Sequence, residues 1–151
     1  MTDTVSFERS HAIDIAASPG AVLDYVSNPN TWLEWMVASH HIEAEDRPLT
    51  KGDRFRELWH TRTGEVELNW SVSDSTPGAF WVGEADTAFI GRIVVRYDVE
   101  AIDGGLTRFT RTMINPARPK PPTQEMIARM DREAEICLAN IKRHVEARAA
   151  A

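Results

Sequence analysis

The chain has 151 residues, of which 42% are hydrophobic and 26% charged, the proportions of one folded domain and not of a disordered chain. A net charge of −6 argues against nucleic-acid binding, because phosphate neutralisation needs clustered Lys and Arg. No apolar run is long enough to span a membrane, and the N-terminus lacks a basic-then-apolar signal. We predict one cytoplasmic domain over residues 1–151, and the single cysteine, Cys137, is consistent with a reducing compartment.

Residues 4–36 predict one strand and two short helices. Apolar and polar residues alternate over Val5–Ile15, the pattern of a half-buried strand. A serine and a proline at 18–19 favour a helix start, and the Asn-Pro pair at 28–29 ends that helix after about two turns. The next short helix, Thr31–Met36, is almost entirely apolar and contains two tryptophans. We therefore expect it to pack against other parts of the domain.

Residues 39–115 predict six more strands connected by short turns. Turn residues such as Thr-Pro-Gly at 76–78 and Asp-Gly-Gly at 103–105 separate them, and 62–64 predicts a hairpin loop. Short connections imply antiparallel neighbours. The predicted strands are His40–Ala44, Arg54–Thr61, Glu65–Ser75, Ala79–Phe89, Arg92–Ile102 and Leu106–Asn115.

The C-terminal part predicts a stiff connector and one long helix. Four of the eight prolines lie between residues 116 and 122, which favours an extended segment. Thr123 then caps a helix to about Ala147, about 37 Å long at 1.5 Å per residue, with a frayed tail at 148–151. Apolar residues at 127, 130, 134, 138, 141 and 145 give it one apolar face. An α+β fold follows, in which a sheet and this helix cover each other.

Two stretches carry a family resemblance. The first stretch, residues 12–32, contains the end of a strand, a small residue, a proline and a short helix, followed by a break and a tryptophan. The second stretch, residues 105–113, has the sequence Gly-Leu-Thr-Arg-Phe-Thr-Arg-Thr-Met. With the element order, they resemble the START-like helix-grip (SRPBCC) superfamily and, within it, small bacterial polyketide cyclase-like proteins. The Trp-Pro motif of many aromatase/cyclase members is absent, and Trp-Leu-Glu-Trp stands at 32–35. The fold expected is a curved antiparallel sheet of about seven strands wrapped on the long C-terminal helix, with two short helices between strands 1 and 2.

The resemblance implies a deep pocket between sheet and helix for an apolar, often aromatic, polycyclic or lipid-like molecule. It implies binding without a metal or an organic cofactor. Oligomeric state stays open, with a homodimer common among similar proteins. The candidate ligand-binding residues are Trp35, Phe55, Trp59, Trp70, Val95, Phe109, Met113, Met126 and Met130.

Arg111 is the most informative polar residue, because it shares strand parity with Phe109 and Met113. An arginine among inward apolar residues is costly unless a carboxylate or a ligand pairs with it. Two interpretations stay open. Arg111 either reaches water or a structural partner at the sheet edge, or it holds an anionic or enolate oxygen in the pocket.

Glu57 and Tyr97 are the other catalytic candidates. Glu57 faces inward if Phe55 and Trp59 do, and the opposite facing of that strand stays open. Tyr97 lies among inward valines, either as a core residue or as a proton-transfer group. The facing of strand 79–89 is undecided.

The histidines predict no metal site. His11 shares parity with apolar residues and is either a rim residue or an acid/base group, and adjacent His40 and His41 point to opposite faces of a strand.

Three functions remain. The first is binding of a small hydrophobic molecule, and the second is a cofactor-independent cyclase/dehydratase using Arg111 with Glu57 or Tyr97. The third is a co-chaperone-like interaction module.

Overall fold

The computed structural model describes residues 4–36, 40–61, 64–88 and 90–150. Seven antiparallel strands form one sheet in the order β1-β7-β6-β5-β4-β3-β2. The strands are β1 Val5–Ile15, β2 His40–Glu43, β3 Arg54–Thr61, β4 Gly64–Thr76, β5 Phe80–Thr87, β6 Gly91–Ile102 and β7 Leu106–Arg118. The predicted helix-grip sheet is confirmed, and the first and last strands of the chain lie side by side.

Three helices accompany the sheet: α1 Pro19–Val26, α2 Trp32–Trp35 and α3 Gln124–Ala150, with a 3-10 turn at Pro29–Thr31 before α2. The start of α1 has the predicted cap, since the Ser18 hydroxyl accepts a hydrogen bond from the Ala21 amide at 3.2 Å. The two short helices lie between β1 and β2, and α3 packs on the sheet.

Strand β7 continues past its predicted end at Asn115, through Pro116, to Arg118. The prediction of a proline connector starting at residue 116 was wrong for its first three positions. The β1–β7 register shifts between the pairs Val5–Arg118 and Phe7–Asn115, so β7 has an extra residue there. Proline, which lacks an amide hydrogen, is tolerated at such a bulge.

Helix α3 also extends beyond its predicted end near Ala147. The segment expected to fray is helical to Ala150. Arg148 explains the extension, since it donates to Glu34 at 3.0 Å and lies 4.7 Å from the centre of the Tyr25 ring. These contacts hold the last turn against α1 and α2.

Two other predicted segments touch residues outside the described ranges. Strand β5 ends at Thr87, and Phe89, its predicted last residue, lies outside them. Of the predicted hairpin loop, residues 62–63 lie outside them as well.

An aromatic cluster fills the concave side of the sheet beneath α2. Trp32, 1% exposed, is its centre and meets its neighbours edge to face, the arrangement that aromatic rings favour. The ring centres lie 5.4 Å away for Phe55, 5.8 Å for Trp70, 6.1 Å for Trp35 and Trp81, and 6.4 Å for Tyr97. The Trp32/Trp35 pair therefore forms a packed plug at this end of the sheet.

Gly83 gives the Trp81 indole the room it needs. A Cβ at this position would lie 2.7 Å from the tip of that ring, which is itself buried. We expect Gly83→Ala to destabilise the protein by roughly 1–3 kcal/mol through overpacking. Gly20→Ala is the control, because its Cβ would meet nothing within 4 Å, and alanine favours a helix by about 0.5–1 kcal/mol. Urea denaturation of both variants tests this, and equal stabilities would contradict it.

Candidate functional site

A cavity of about 150 Å³ lies between β1, β7 and the first half of α3. Sulfur-containing and small side chains form its apolar wall: Met36, Met113, Met130, Ala134 and Cys137. Its polar residues are Arg9, His11, Arg111 and Glu133. The cavity therefore offers a compact apolar space with a cationic group inside it.

Arg111 is the half-buried cation that lines this cavity from β7, and among the described residues it forms no salt bridge. It projects from β7 between its register partners His11 on β1 and Tyr97 on β6. Its Nε is buried without a hydrogen-bond acceptor, and its guanidinium lies 5.9 Å from the centre of the Trp35 ring. A half-buried guanidinium whose buried Nε lacks an acceptor is costly to maintain, so this group is set to receive an anion.

Tyr97, which is 0% exposed, brings a second unsatisfied polar atom to this region. Its hydroxyl has no hydrogen-bond partner in the described ranges, and its ring stacks on Trp81 with centres 5.2 Å apart. Burial raises the pKa of the hydroxyl, while the nearby Arg111 charge opposes this rise. Tyr97 is therefore a neutral phenol at physiological pH that can donate one hydrogen bond.

Glu57 is a carboxyl group in the core, at 0% exposure. The Trp70 indole donates a hydrogen bond to its Oε1 at 3.0 Å. Burial raises the pKa of Glu57 to about 7, although hydrogen bonds from Trp70 and Trp59 and the charge of Arg111 pull it down. Phe55 is buried on the same side, so β3 faces as the sequence favoured.

The three catalytic candidates lie within electrostatic reach of one another on the inner side of the sheet. The charge of Arg111 acts on the pKa of both Glu57 and Tyr97, although they come from β7, β3 and β6. Only Arg111 of the three lines the cavity.

Asp131, on α3, is a site residue that sequence reasoning missed. Its carboxylate accepts a hydrogen bond from Arg9 at 3.1 Å and lies 2.8 Å from the His11 Nε2. The hydrogen bond from Arg9, followed by that from His11, lowers the Asp131 pKa. The sequence does not mark Asp131 as a partner of His11, because α3 carries many acidic residues and only the packing of α3 on β1 brings this one to His11. The structure thus places His11 at the cavity rim as part of a charge-neutralised cluster.

The predicted ligand-binding residues divide into two groups. Met113 and Met130 line the cavity, whereas half-buried Trp59 and Met126 do not. The remaining five are buried core residues that do not line it: Trp35, Phe55, Trp70, Val95 and Phe109. The undecided strand β5 turns Trp81, Gly83 and Ala85 inward.

No group of three or more His, Cys, Asp or Glu side chains in the described ranges could hold a metal ion. His41 lies 3.6 Å from Glu43, and the His40 side chain is outside what the structure describes. None of the helices in the described residues is both long and apolar enough to cross a membrane.

The seven-stranded sheet closed on a long C-terminal helix defines a START-like helix-grip protein, and solved structures support this class. The Zhui aromatase/cyclase from Streptomyces sp. R1128 matches with a TM-score of 0.72 at 13% identity over 95% of this chain and 96% of its own. Ara h 8.0201 matches with a TM-score of 0.67 at 10% identity over 93% and 98%. These likenesses establish the fold.

Sequence comparison identifies the family. The family described as polyketide cyclase/dehydrase and lipid transport matches residues 4–146, and the chain belongs to it. A curated relative, Penitrem biosynthesis cluster 1 protein I from Penicillium ochrochloron, is 28% identical over 117 residues, 73% of this chain and 76% of its own.

Proposed function

We propose that the protein binds a small hydrophobic molecule in the cavity between β1, β7 and α3, with an oxygen of that molecule on Arg111. The unpaired Arg111 guanidinium carries the proposal, since its buried Nε has no acceptor in the described structure. The apolar wall, rich in adaptable methionine side chains, suits the rest of such a ligand. Membership of a cyclase, dehydrase and lipid-transport family supports the same kind of ligand.

A thermal-shift panel tests binding. We expect aromatic carboxylates to raise the melting temperature in a concentration-dependent way, because a ligand that binds only the folded state stabilises it. The matching primary amides should give smaller shifts, since they offer Arg111 no charge. Native mass spectrometry of the purified protein should retain a bound ligand. Failure of every carboxylate to bind, together with an empty mass spectrum, would contradict the proposal.

A second candidate function is cofactor-independent proton transfer, as in a cyclase or dehydratase. Its specific support is Glu57, a buried carboxyl group whose pKa of about 7 gives it both protonation states near neutral pH. In this proposal Arg111 stabilises the enolate oxygen of a bound ketone. Glu57 or Tyr97, both of which lie behind the cavity wall, exchanges the proton once a rearrangement of that wall brings its side chain to the substrate carbon. The relatives that support it include the Streptomyces aromatase/cyclase and the penitrem-cluster protein.

Hydrogen–deuterium exchange at the methyl group of acetophenone tests proton transfer with a one-ring ketone. The wild-type protein should accelerate exchange in deuterated buffer, and Glu57→Gln should lose roughly 10²-fold or more of that acceleration. Binding of aromatic carboxylates should persist in the same variant. If wild-type and Glu57→Gln proteins exchange acetophenone at equal rates, Glu57 is not the proton-transfer group.

A further inference from the structure

We propose that the natural ligand of this cavity is monocyclic: a single ring, or an aliphatic group of similar size, carrying one anionic oxygen group such as a carboxylate or enolate. This inference rests on the proposed binding function and adds the size and charge of the ligand. It departs from the polycyclic ligand that the family resemblance implies.

The size of the cavity is the first argument. Sites for drug-sized ligands typically enclose about 300–1,000 Å³. This cavity, which is partly open to solvent, has a volume of about 150 Å³, and a volume of this size in a protein core accommodates benzene. A second or third fused ring therefore extends beyond the apolar wall of the cavity.

The aromatic cluster is the second argument, because it occupies the interior into which the cavity could otherwise deepen. Trp32 contacts five other aromatic rings there, and Trp32, Trp35 and Trp81 are each at most 1% exposed. Interiors packed in this way resist enlargement, since displacing one ring disturbs all its neighbours. The ligand is thus confined to the space beneath α3.

The charges around the cavity orient the ligand. Arg9 and His11 at the rim already share the Asp131 carboxylate, and Glu133, also at the rim, is exposed. The unmatched positive charge is Arg111, set between β1 and β6. A ligand with its anionic oxygen on Arg111 and its ring against Met113 and Met130 would pair the charge and contact the apolar wall at the same time.

A ring-size series tests the inference: benzoate, 2-naphthoate and 9-anthracenecarboxylate, each titrated calorimetrically into the full chain. We expect benzoate to bind at least 10-fold more tightly than 2-naphthoate and the anthracene acid not to bind. Larger rings bury more apolar area, so a non-specific apolar site gives the opposite order. If all three bind, with affinity equal or rising with ring number, the monocyclic inference is overturned and the binding function stands. If none binds and native mass spectrometry of the purified protein shows no retained ligand, the binding function itself fails.

A matched pair of variants locates the size limit. Met130→Ala enlarges the cavity wall and should improve 2-naphthoate binding at least 10-fold relative to benzoate. Met126, one turn earlier on α3 and half-buried, does not line the cavity, so Met126→Ala should leave the ratio unchanged. An unchanged ratio in Met130→Ala, or an equal change in both variants, would contradict confinement in this cavity. Circular dichroism checks that both variants fold, as alanine in a helix predicts.

Discussion

Replacing Arg111 with methionine is expected to have opposite effects on stability and on ligand binding. Substitution of a half-buried guanidinium that forms no salt bridge among the described residues by an apolar side chain of similar length should raise the free energy of unfolding by about 1 kcal/mol. The same change should weaken binding of aromatic carboxylates by at least about 10-fold, since a hydrogen bond to a charged group contributes about 1.5–3 kcal/mol. Urea denaturation and calorimetric titration of the purified variant measure the two effects.

Arg108 supplies the control on the same strand. It is exposed on the outer face of β7 and donates to Asp14 at 3.0 Å, away from the cavity. Arg108→Met should leave ligand affinity unchanged and should not raise stability, because an exposed ion pair contributes only about 0–1 kcal/mol. Equal affinities of wild-type and Arg111→Met proteins would show that Arg111 does not hold the ligand.

Stability should fall as pH rises through the neutral range because of Glu57. Below about pH 4.5 the carboxyl group is protonated in both the folded and the unfolded chain, and its ionisation has no effect. Between pH 4.5 and 7 the unfolded chain releases the proton while the folded protein retains it, so the unfolded state is favoured progressively. Integrated over that interval, the loss is about 3 kcal/mol and is complete above the folded-state pKa.

The difference between wild-type and Glu57→Gln proteins isolates this contribution from those of the other ionisable groups, which the two proteins share. We expect the free energy of unfolding of Glu57→Gln, measured by urea denaturation from pH 4 to 9, to rise relative to that of the wild-type protein as pH increases. Glu67→Gln, at an exposed site on β4, is the control and should run parallel to wild type. A constant difference between the wild-type and Glu57→Gln curves would mean that Glu57 ionises at its ordinary pKa.

The fold could be predicted because its signals are local. Alternation over Val5–Ile15, the Ser-Pro helix start and the apolar face of α3 each reflect a period that backbone geometry imposes. The ends of β7 and α3 were placed too early. One depends on a bulge that tolerates Pro116, and the other on the contacts of Arg148 with α1 and α2.

The site could be predicted only in part. Strand parity placed Arg111 on the same face as Phe109 and Met113, because side-chain direction alternates with fixed period along a strand. It favoured an inward Glu57 but left the opposite facing of that strand open. It could not show that Asp131 on α3 pairs with His11, since that contact joins residues 120 positions apart. Parity also could not distinguish lining a cavity from filling the core. Phe55 and Trp70 both face inward, yet they fill space that the family resemblance assigns to a ligand.

The most direct test of the account is the NMR signal of the Arg111 Nε–H group, assigned by its loss in Arg111→Met. Titration with the aromatic carboxylate that gives the largest thermal shift should move this signal and slow its exchange with water, together with shifts of the Met113 and Met130 methyl groups. A second groove, lined by Tyr25, Glu34 and Arg148 among others, provides the alternative location. Ligand-induced shifts confined to that groove, with the Arg111 signal unmoved, would contradict the central claim.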